Sequence, residues 1–113
     1  MNVVEQIAIE VSKEFDIPIQ WIFSPRRSRN IAWPRQYVML IARNSTSLSL
    51  PQIGRMLDRD HTTIIKGINA AESRVERNPN LAALITRIGA RVTFKRKEAT
   101  RKLSQTWRMR KAA

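Results

Sequence analysis

Cysteine is absent from this 113-residue chain, which removes disulfides, thiolate zinc sites and thiol nucleophiles together. Histidine occurs once, at His61, too few for a metal triad and a poor basis for a Ser-His-Asp set on separate elements. Asp58 and Asp60 lie beside it in sequence, but adjacent residues at one helix start do not converge well on a cation. Glycine occurs three times, at Gly54, Gly67 and Gly89, so there is neither a Gly/Ser linker nor a glycine-rich GK[ST] phosphate loop. The longest apolar runs are short, such as Tyr37 to Ala42, well under the ~20 residues that span a bilayer. Glu5 and Glu10 stand where a signal peptide would carry Lys or Arg and then an apolar run. No enzyme, metal site, nucleotide, cofactor or membrane span is indicated, and a reducing compartment such as the cytoplasm fits.

Negative charge is scarce as well: 9 Asp+Glu stand against 21 Lys+Arg, a formal charge of +12. An excess of this size on a small chain implies a polyanionic partner, nucleic acid first and an anionic membrane surface second. The excess is uneven. Residues 1–90 carry about +4 and hold the apolar periodicity, whereas residues 91–113 carry about +8. The expected organisation is a folded unit over 1–90 and a basic amphipathic extension over 91–113. Apolar residues make up 42% of the chain, enough for a modest core without staples.

The periodicity is helical. Val4, Ile7, Ala8, Val11 and Phe15 keep one face of a helix from about Asn2, its cap, to Phe15. Pro18 interrupts, and Ile19 to Phe23 suffice for a short buried turn before Ser24-Pro25. Arg26-Arg27-Ser28-Arg29 reads as a basic loop leading to a helix with Pro34 in its first turn, ending near Arg43 to Ser45. Ser49 followed by Gln52 has capping-box order and starts a short helix, Leu50 to Leu57. After a turn at Asp58-Arg59, Asp60 is expected to cap a helix from His61 to about Arg77, with Ile64, Ile65, Ile68, Ala71 and Val75 inward. Asn78-Pro79-Asn80 breaks the chain, and a last helix from Leu81 can run far into the tail through Val92, Ala99, Leu103 and Trp107. Trp21, Trp33, Phe15, Phe23 and Tyr37 fall on apolar faces and read as core or near-core.

A short helix, a tight turn and a second helix opening on small polar residues is a helix-turn-helix order. Thr62 and Thr63 are short enough to let a backbone approach base edges, a Thr methyl can meet a thymine methyl, and Lys66 lies one turn on. Asp60 can accept from a cytosine amino group, and His61 can donate to a phosphate or base. Spacing alone is equally consistent with a capping Asp60 and solvated threonines.

Three blocks separate these readings. Arg26-Arg27-Ser28-Arg29 followed by Ala32-x-Pro34-Arg35-Gln36, then Ser49-Leu50-Pro51-x-Ile53-Gly54, then Arg59-Asp60-His61-Thr62-Thr63-Ile64, resemble in order and spacing the C-terminal DNA-binding domain of the bacterial replication initiator DnaA. The resemblance is clearest over residues 24–77 and extends less clearly over 3–90. It implies an all-α, Trp-repressor-like helix-turn-helix domain of five or six helices with a basic helical extension. It implies that Arg27 enters the minor groove of an A/T-rich site, while Asp60, His61, Thr62 and Thr63 face the major groove, with Leu50 and Pro51 at thymine methyls or sugar; Lys66, one turn on by spacing, is a base-reading candidate able to reach a phosphate or a guanine. Arg35, Gln36, Arg43 and Thr46 take the places of the family's backbone contacts, Arg59 is a further backbone candidate, and for Arg26 and Arg29 a phosphate contact and a solvated basic loop are equally open. Two departures stand out: the turn at Leu57-Asp58 is about one residue shorter than the phenylalanine-glycine-glycine usual in the family, and Lys66-Gly67 replaces a common histidine and a small alanine.

Without a phosphate loop the chain reads as a free-standing DnaA-like protein lacking the ATPase module, with double-stranded DNA as partner. The use expected is transcriptional regulation, in a bacterial or phage-encoded setting. A replication role competing with the initiator, a nonspecific architectural role, or a protein-interaction role are the alternatives. In the tail, Lys95, Arg96, Lys97, Arg101, Lys102 and Trp107 are candidates for extra DNA contact, or for a protein partner or self-association through the last helix, with a membrane-surface helix as the third reading.

Overall fold

The structure is a computed structural model that describes residues 2–112, with side chains described through residue 102. Six helices in chain order are found among the described residues: α1 (Val3–Phe15), α2 (Ile19–Ile22), α3 (Arg29–Ser45), α4 (Leu50–Leu57), α5 (His61–Arg77) and α6 (Pro79–Ala112). Each start has a local cause. Asn2 Oδ1 accepts from the Glu5 N–H at 2.8 Å at the head of α1. Ser49 and Gln52 form the reciprocal capping box of α4, at 3.3 and 2.8 Å. Asn78 Oδ1 accepts from the Leu81 N–H at 3.1 Å, which lets α6 begin at Pro79 rather than at Leu81. Proline suits that position because the first N–H groups of a helix have no partner within it.

The core is one cluster built around α3. Tyr37, Val38, Leu40, Ile41 and Ala42 of α3 meet Val4, Ile7 and Val11 of α1, Ile53 and Leu57 of α4, Ile64 and Ile68 of α5, and Ile85, Ile88 and Val92 of α6. The close crossing of α3 and α5 depends on Gly67. A Cβ there would run into the sulfur of Met39 and come within 3.3 Å of Gln36 Cγ, so the larger residue sits on α3 and the missing side chain on α5.

Four sequence expectations are corrected. Pro34 lies inside α3, which starts at Arg29 and not near the proline. The N–H that Pro34 lacks would have bonded Asn30, an exposed residue of the first turn whose carbonyl can turn to water, so the helix continues. Trp33 is 39% exposed rather than core, because it falls on the outer side of that longer helix. Ile65 is also on the surface, since Ile64 and Ile68 take the inward positions of α5. Asp60 occupies the N-cap position of α5 but makes no side-chain cap.

Between α4 and α5 the turn closes as a Schellman motif. The Arg59 N–H donates to the Gly54 carbonyl at 2.8 Å and the Asp58 N–H to Arg55 at 3.3 Å, with Asp58 left-handed at φ 54°. Gly54 is required by the approach: a Cβ would lie 2.5 Å from the Arg59 carbonyl oxygen. The shorter connection is thus closed by an aspartate in a backbone state that glycine adopts without strain.

Helix α6 runs through residue 90 without a break, and Val92 joins the core. The charge boundary is therefore not a boundary in the path of the chain. Glu10 of α1, buried, holds the crossing: it accepts from Arg91 at 2.9 Å and from Lys95 at 2.8 Å. Arg96 donates to Gln6 Oε1 at 3.3 Å one turn further along. The Lys95 ammonium, and after it the Arg91 guanidinium, hold the Glu10 carboxyl below its ordinary value of 4.5 against the opposing effect of burial.

Replacing Asp58 by glycine removes the left-handed penalty, and it also removes an anion from the negative end of α4; together these raise stability by about 1 kcal/mol. Thermal unfolding followed by circular dichroism reads this as a rise in Tm of several degrees. Because the folded pKa of Glu10 is lowered, its contribution is present above the ordinary value and is lost as pH falls through the folded one. The stability gap between the native chain and Glu10→Gln is then widest near neutral pH and closes in acid below about 4.5, measured by urea titration at a series of pH values.

Candidate nucleic-acid interface

The basic loop is built from its carbonyls outward. Helix α2 has only four residues, so its last carbonyls have no partner within it. Arg35, from the second turn of α3, supplies the donors: Nε to Ile22 at 2.6 Å, Nη2 to Trp21 at 2.9 Å and to Ser24 at 2.8 Å, and Nη1 to Arg26 at 2.8 Å. Its side chain is 5% exposed. Burial, and then the neighbouring charge of Arg59, push its guanidinium down to about 10, which leaves it charged at neutral pH. The expected backbone contact by Arg35 is corrected on this ground: its donors face the loop from inside.

Arg59 joins the same nest from the other side. It donates to the Leu57 carbonyl at 2.8 Å, to Asp58 at 3.2 Å and to the carbonyl of Ser24. The turn of the helix-turn-helix pair is thereby tied to the start of the basic loop, 35 residues earlier in sequence. Arg59 acts as a strut here, with its guanidinium already engaged.

The remaining loop cations differ in a way the sequence did not reveal. The Arg26 guanidinium lies 4.4 Å over the Trp21 ring, and that of Arg29 lies 5.6 Å over Trp33. Arg27, between them, is exposed and has no intramolecular partner among the described residues. Trp33 also carries Arg74 of α5 at 4.2 Å, and Arg74 donates to Tyr37 Oη at 3.0 Å and to Gln36 Oε1 at 2.5 Å. Gln36 is therefore half-buried and engaged across α3 and α5. A signal for one of these stacks existed: Arg29 and Trp33 are four apart, one helical turn, once the helix is known to start at Arg29. Nothing in the sequence pointed to Arg74.

At the head of α5, Asp60, His61, Thr62 and Thr63 are all exposed, and so is Lys66 one turn later. His61 Nδ1 lies 3.5 Å from the Asp60 carboxylate. With no side-chain cap and no acid in the first turn of α5, its leading N–H groups and positive end face outward. Pro51 is exposed at the head of α4, while Leu50 is half-buried against the core. Arg43 is exposed in the last turn of α3. Thr46 is half-buried, its hydroxyl donating to the Ala42 carbonyl at 2.5 Å and accepting from the Leu48 N–H at 3.1 Å.

In the extension, Lys97, Arg101 and Lys102 are exposed, and Arg101 lies 3.9 Å from Glu98. Lys95 and Arg96 are engaged with α1, as described above. The side chain of Trp107 lies outside the described residues. No group of metal-ligating residues occurs among the described residues, and no helix there is long and apolar enough to cross a membrane.

A sequence profile described as bacterial dnaA protein helix-turn-helix matches residues 4–70, more than half of the chain. The chain belongs to the bacterial DnaA helix-turn-helix family. It is 45% identical over 71 residues to the chromosomal replication initiator protein DnaA of Lachnoclostridium phytofermentans, covering 62% of this chain and 16% of that protein. It is 37% identical over 89 residues to the DnaA of Caldanaerobacter subterraneus subsp. tengcongensis, covering 79% and 20%. The crystal structure of a DNA replication initiation factor matches with a TM-score of 0.73 at 26% identity, over 82% of this chain and 29% of that one. The chain spans about a fifth of the length of its DnaA relatives. Its six-helix fold is that of the DnaA C-terminal DNA-binding domain, which is not a catalyst.

Arg35→Lys tests the nest within this DnaA-type domain. An ammonium has no planar fork to reach four carbonyls; the Trp21 and Ser24 carbonyls keep their bonds from Ser24 and Arg59, but the buried Ile22 carbonyl loses its donor, at a cost of about 1–3 kcal/mol. Denaturant unfolding should show that loss while far-UV circular dichroism stays helical; an unchanged midpoint would contradict the role given to Arg35.

Proposed function

We propose that the chain binds duplex DNA at a DnaA-box-like site, with the head of α5 in the major groove and the Arg27 loop in an adjacent A/T-rich minor groove. The observation that carries this reading is the contrast within one basic surface. Arg35 and Arg59 are spent on holding the loop, whereas Arg27, Thr62, Thr63 and Lys66 stay exposed. A narrow A/T groove concentrates negative potential and draws a free guanidinium, and short hydroxyl side chains suit close approach to base edges. Asp60, His61, Leu50 and Pro51 complete the base-facing set, and Arg26, Arg29, Gln36, Arg43 and Thr46 flank it toward the phosphates.

Lys97, Arg101 and Lys102 are read as added phosphate contacts that raise affinity for any duplex without adding specificity. The use proposed is transcriptional regulation by occupancy of the site. These 113 residues contain no GK[ST] segment, so what they offer is recognition and coverage of DNA. Competition with the initiator for the same boxes is the replication form of the same act.

The test is fluorescence anisotropy on a duplex carrying a TTATCCACA-type box and on a scrambled duplex, over a range of salt. A preference for the box that persists as the nonspecific term falls, with a slope of about −0.9 per neutralised phosphate, is expected. Thr62→Ala with Thr63→Ala should remove the preference and leave nonspecific binding. Lys97→Ala with Arg101→Ala should keep the preference and flatten the salt slope. Equal binding to both duplexes by the native chain would refute box recognition.

A further inference from the structure

Arg27 is flanked in sequence by two arginines that are each laid on an indole. Arg26 lies on Trp21, which belongs to α2, and Arg29 lies on Trp33, which belongs to α3. The backbone leading into Arg27 is fixed by Arg35 at the Arg26 carbonyl and by Arg35 and Arg59 at the Ser24 carbonyl. A guanidinium stacked on a ring is withdrawn from solvent on one face and restricted in direction. Arg27 is thus the unstacked cation between two restrained ones.

Trp33 has a second partner. The Arg74 guanidinium lies 4.2 Å over the same ring and is pinned by Tyr37 and Gln36. Arg74 belongs to α5, the helix whose other end carries Thr62 and Thr63. One indole therefore touches Arg29, the residue that ends the basic stretch and opens α3, and a cation of the recognition helix. The indole thus joins the start of α3, from which the Arg27 loop leaves, to α5, and on the reading proposed above that loop and α5 must enter two adjacent grooves at a fixed separation.

We propose that Trp33 is a positioning residue that sets the placement of the Arg27 loop relative to α5, with Trp21 restraining the loop from its other side. The inference rests on the box-binding reading. Trp33 acts through Arg27, and the two side chains are energetically one unit for DNA recognition. The bare alternative is that the exposed ring stacks on DNA itself, in which case its contribution is independent of Arg27.

A double-mutant cycle separates these cases, using the full chain and anisotropy on box and scrambled duplexes. Trp33→Ala should weaken box binding by about two- to fivefold, the worth of one exposed cation–π contact, and leave scrambled binding unchanged. On an Arg27→Ala background the same substitution should change box affinity by less than twofold. Trp33→Phe, which keeps a ring, should recover most of the loss. Thermal unfolding of each variant shows that the fold is retained, as befits a residue on the surface.

Equal losses on both backgrounds would overturn the proposal and assign Trp33 a direct contact with DNA. No loss from Trp33→Ala in a chain that prefers the box would overturn it as well. Absence of box preference in the native chain is a different failure: it removes the functional reading, and the inference with it.

Discussion

A buried cation with no carboxylate beside it among the described residues organises the basic-loop side of this domain. Removing a charge from water is costly, and Arg35 offsets that cost with carbonyl dipoles alone, taken from the end of a four-residue helix and the loop that follows it. The exchange works both ways. The Ile22 carbonyl has no partner in a helix this short and takes its donor from Arg35, while the Trp21 carbonyl is shared between Arg35 and Ser24. The basic loop consequently has a defined path although it contains few apolar anchors and no regular structure.

The same nest explains how two distant stretches of sequence come to act together. Arg59 follows the turn between α4 and α5, and its bond to Ser24 brings that turn against the loop. Gly54 permits the turn to fold that closely, and Asp58 closes it in a left-handed conformation. Met39 opposite Gly67 then sets how near α5 lies to α3. Each contact is short-range, yet together they place the free Arg27 and the threonines of α5 on one rigid frame.

Much of this was legible in sequence, for reasons that differ by element. The apolar period of α1, the capping box of Ser49 and Gln52, and the three family blocks are local signals, and the structure follows them. Misreadings arose where a strong local rule met a longer-range compensation. Pro34 looked like a helix start, but an exposed carbonyl at Asn30 tolerates the missing donor, so α3 begins a turn earlier and Trp33 rotates out of the core. Arg35 looked like one more surface cation, because no sequence pattern distinguishes a guanidinium facing phosphate from one facing carbonyls. Asp60 has the right identity for a cap, yet its carboxylate lies beside His61, and residue type alone could not reveal that choice. The apolar spacing that carries the last helix past residue 90 is a local signal too, and Val92 together with Glu10 bridging to Arg91 and Lys95 fixes its path.

That unbroken α6 changes what kind of object the basic extension is. A flexible tail of the same composition would search a sphere around its attachment point, and its charges would be diluted over that volume. A helix continuous with the core rises 1.5 Å per residue, so residues 91–112 reach about 33 Å along one fixed direction. Its cations are delivered at high effective concentration along a single line and hardly at all elsewhere. The extension is an outrigger: whatever anion it meets must already lie on the bearing that Glu10 gives it.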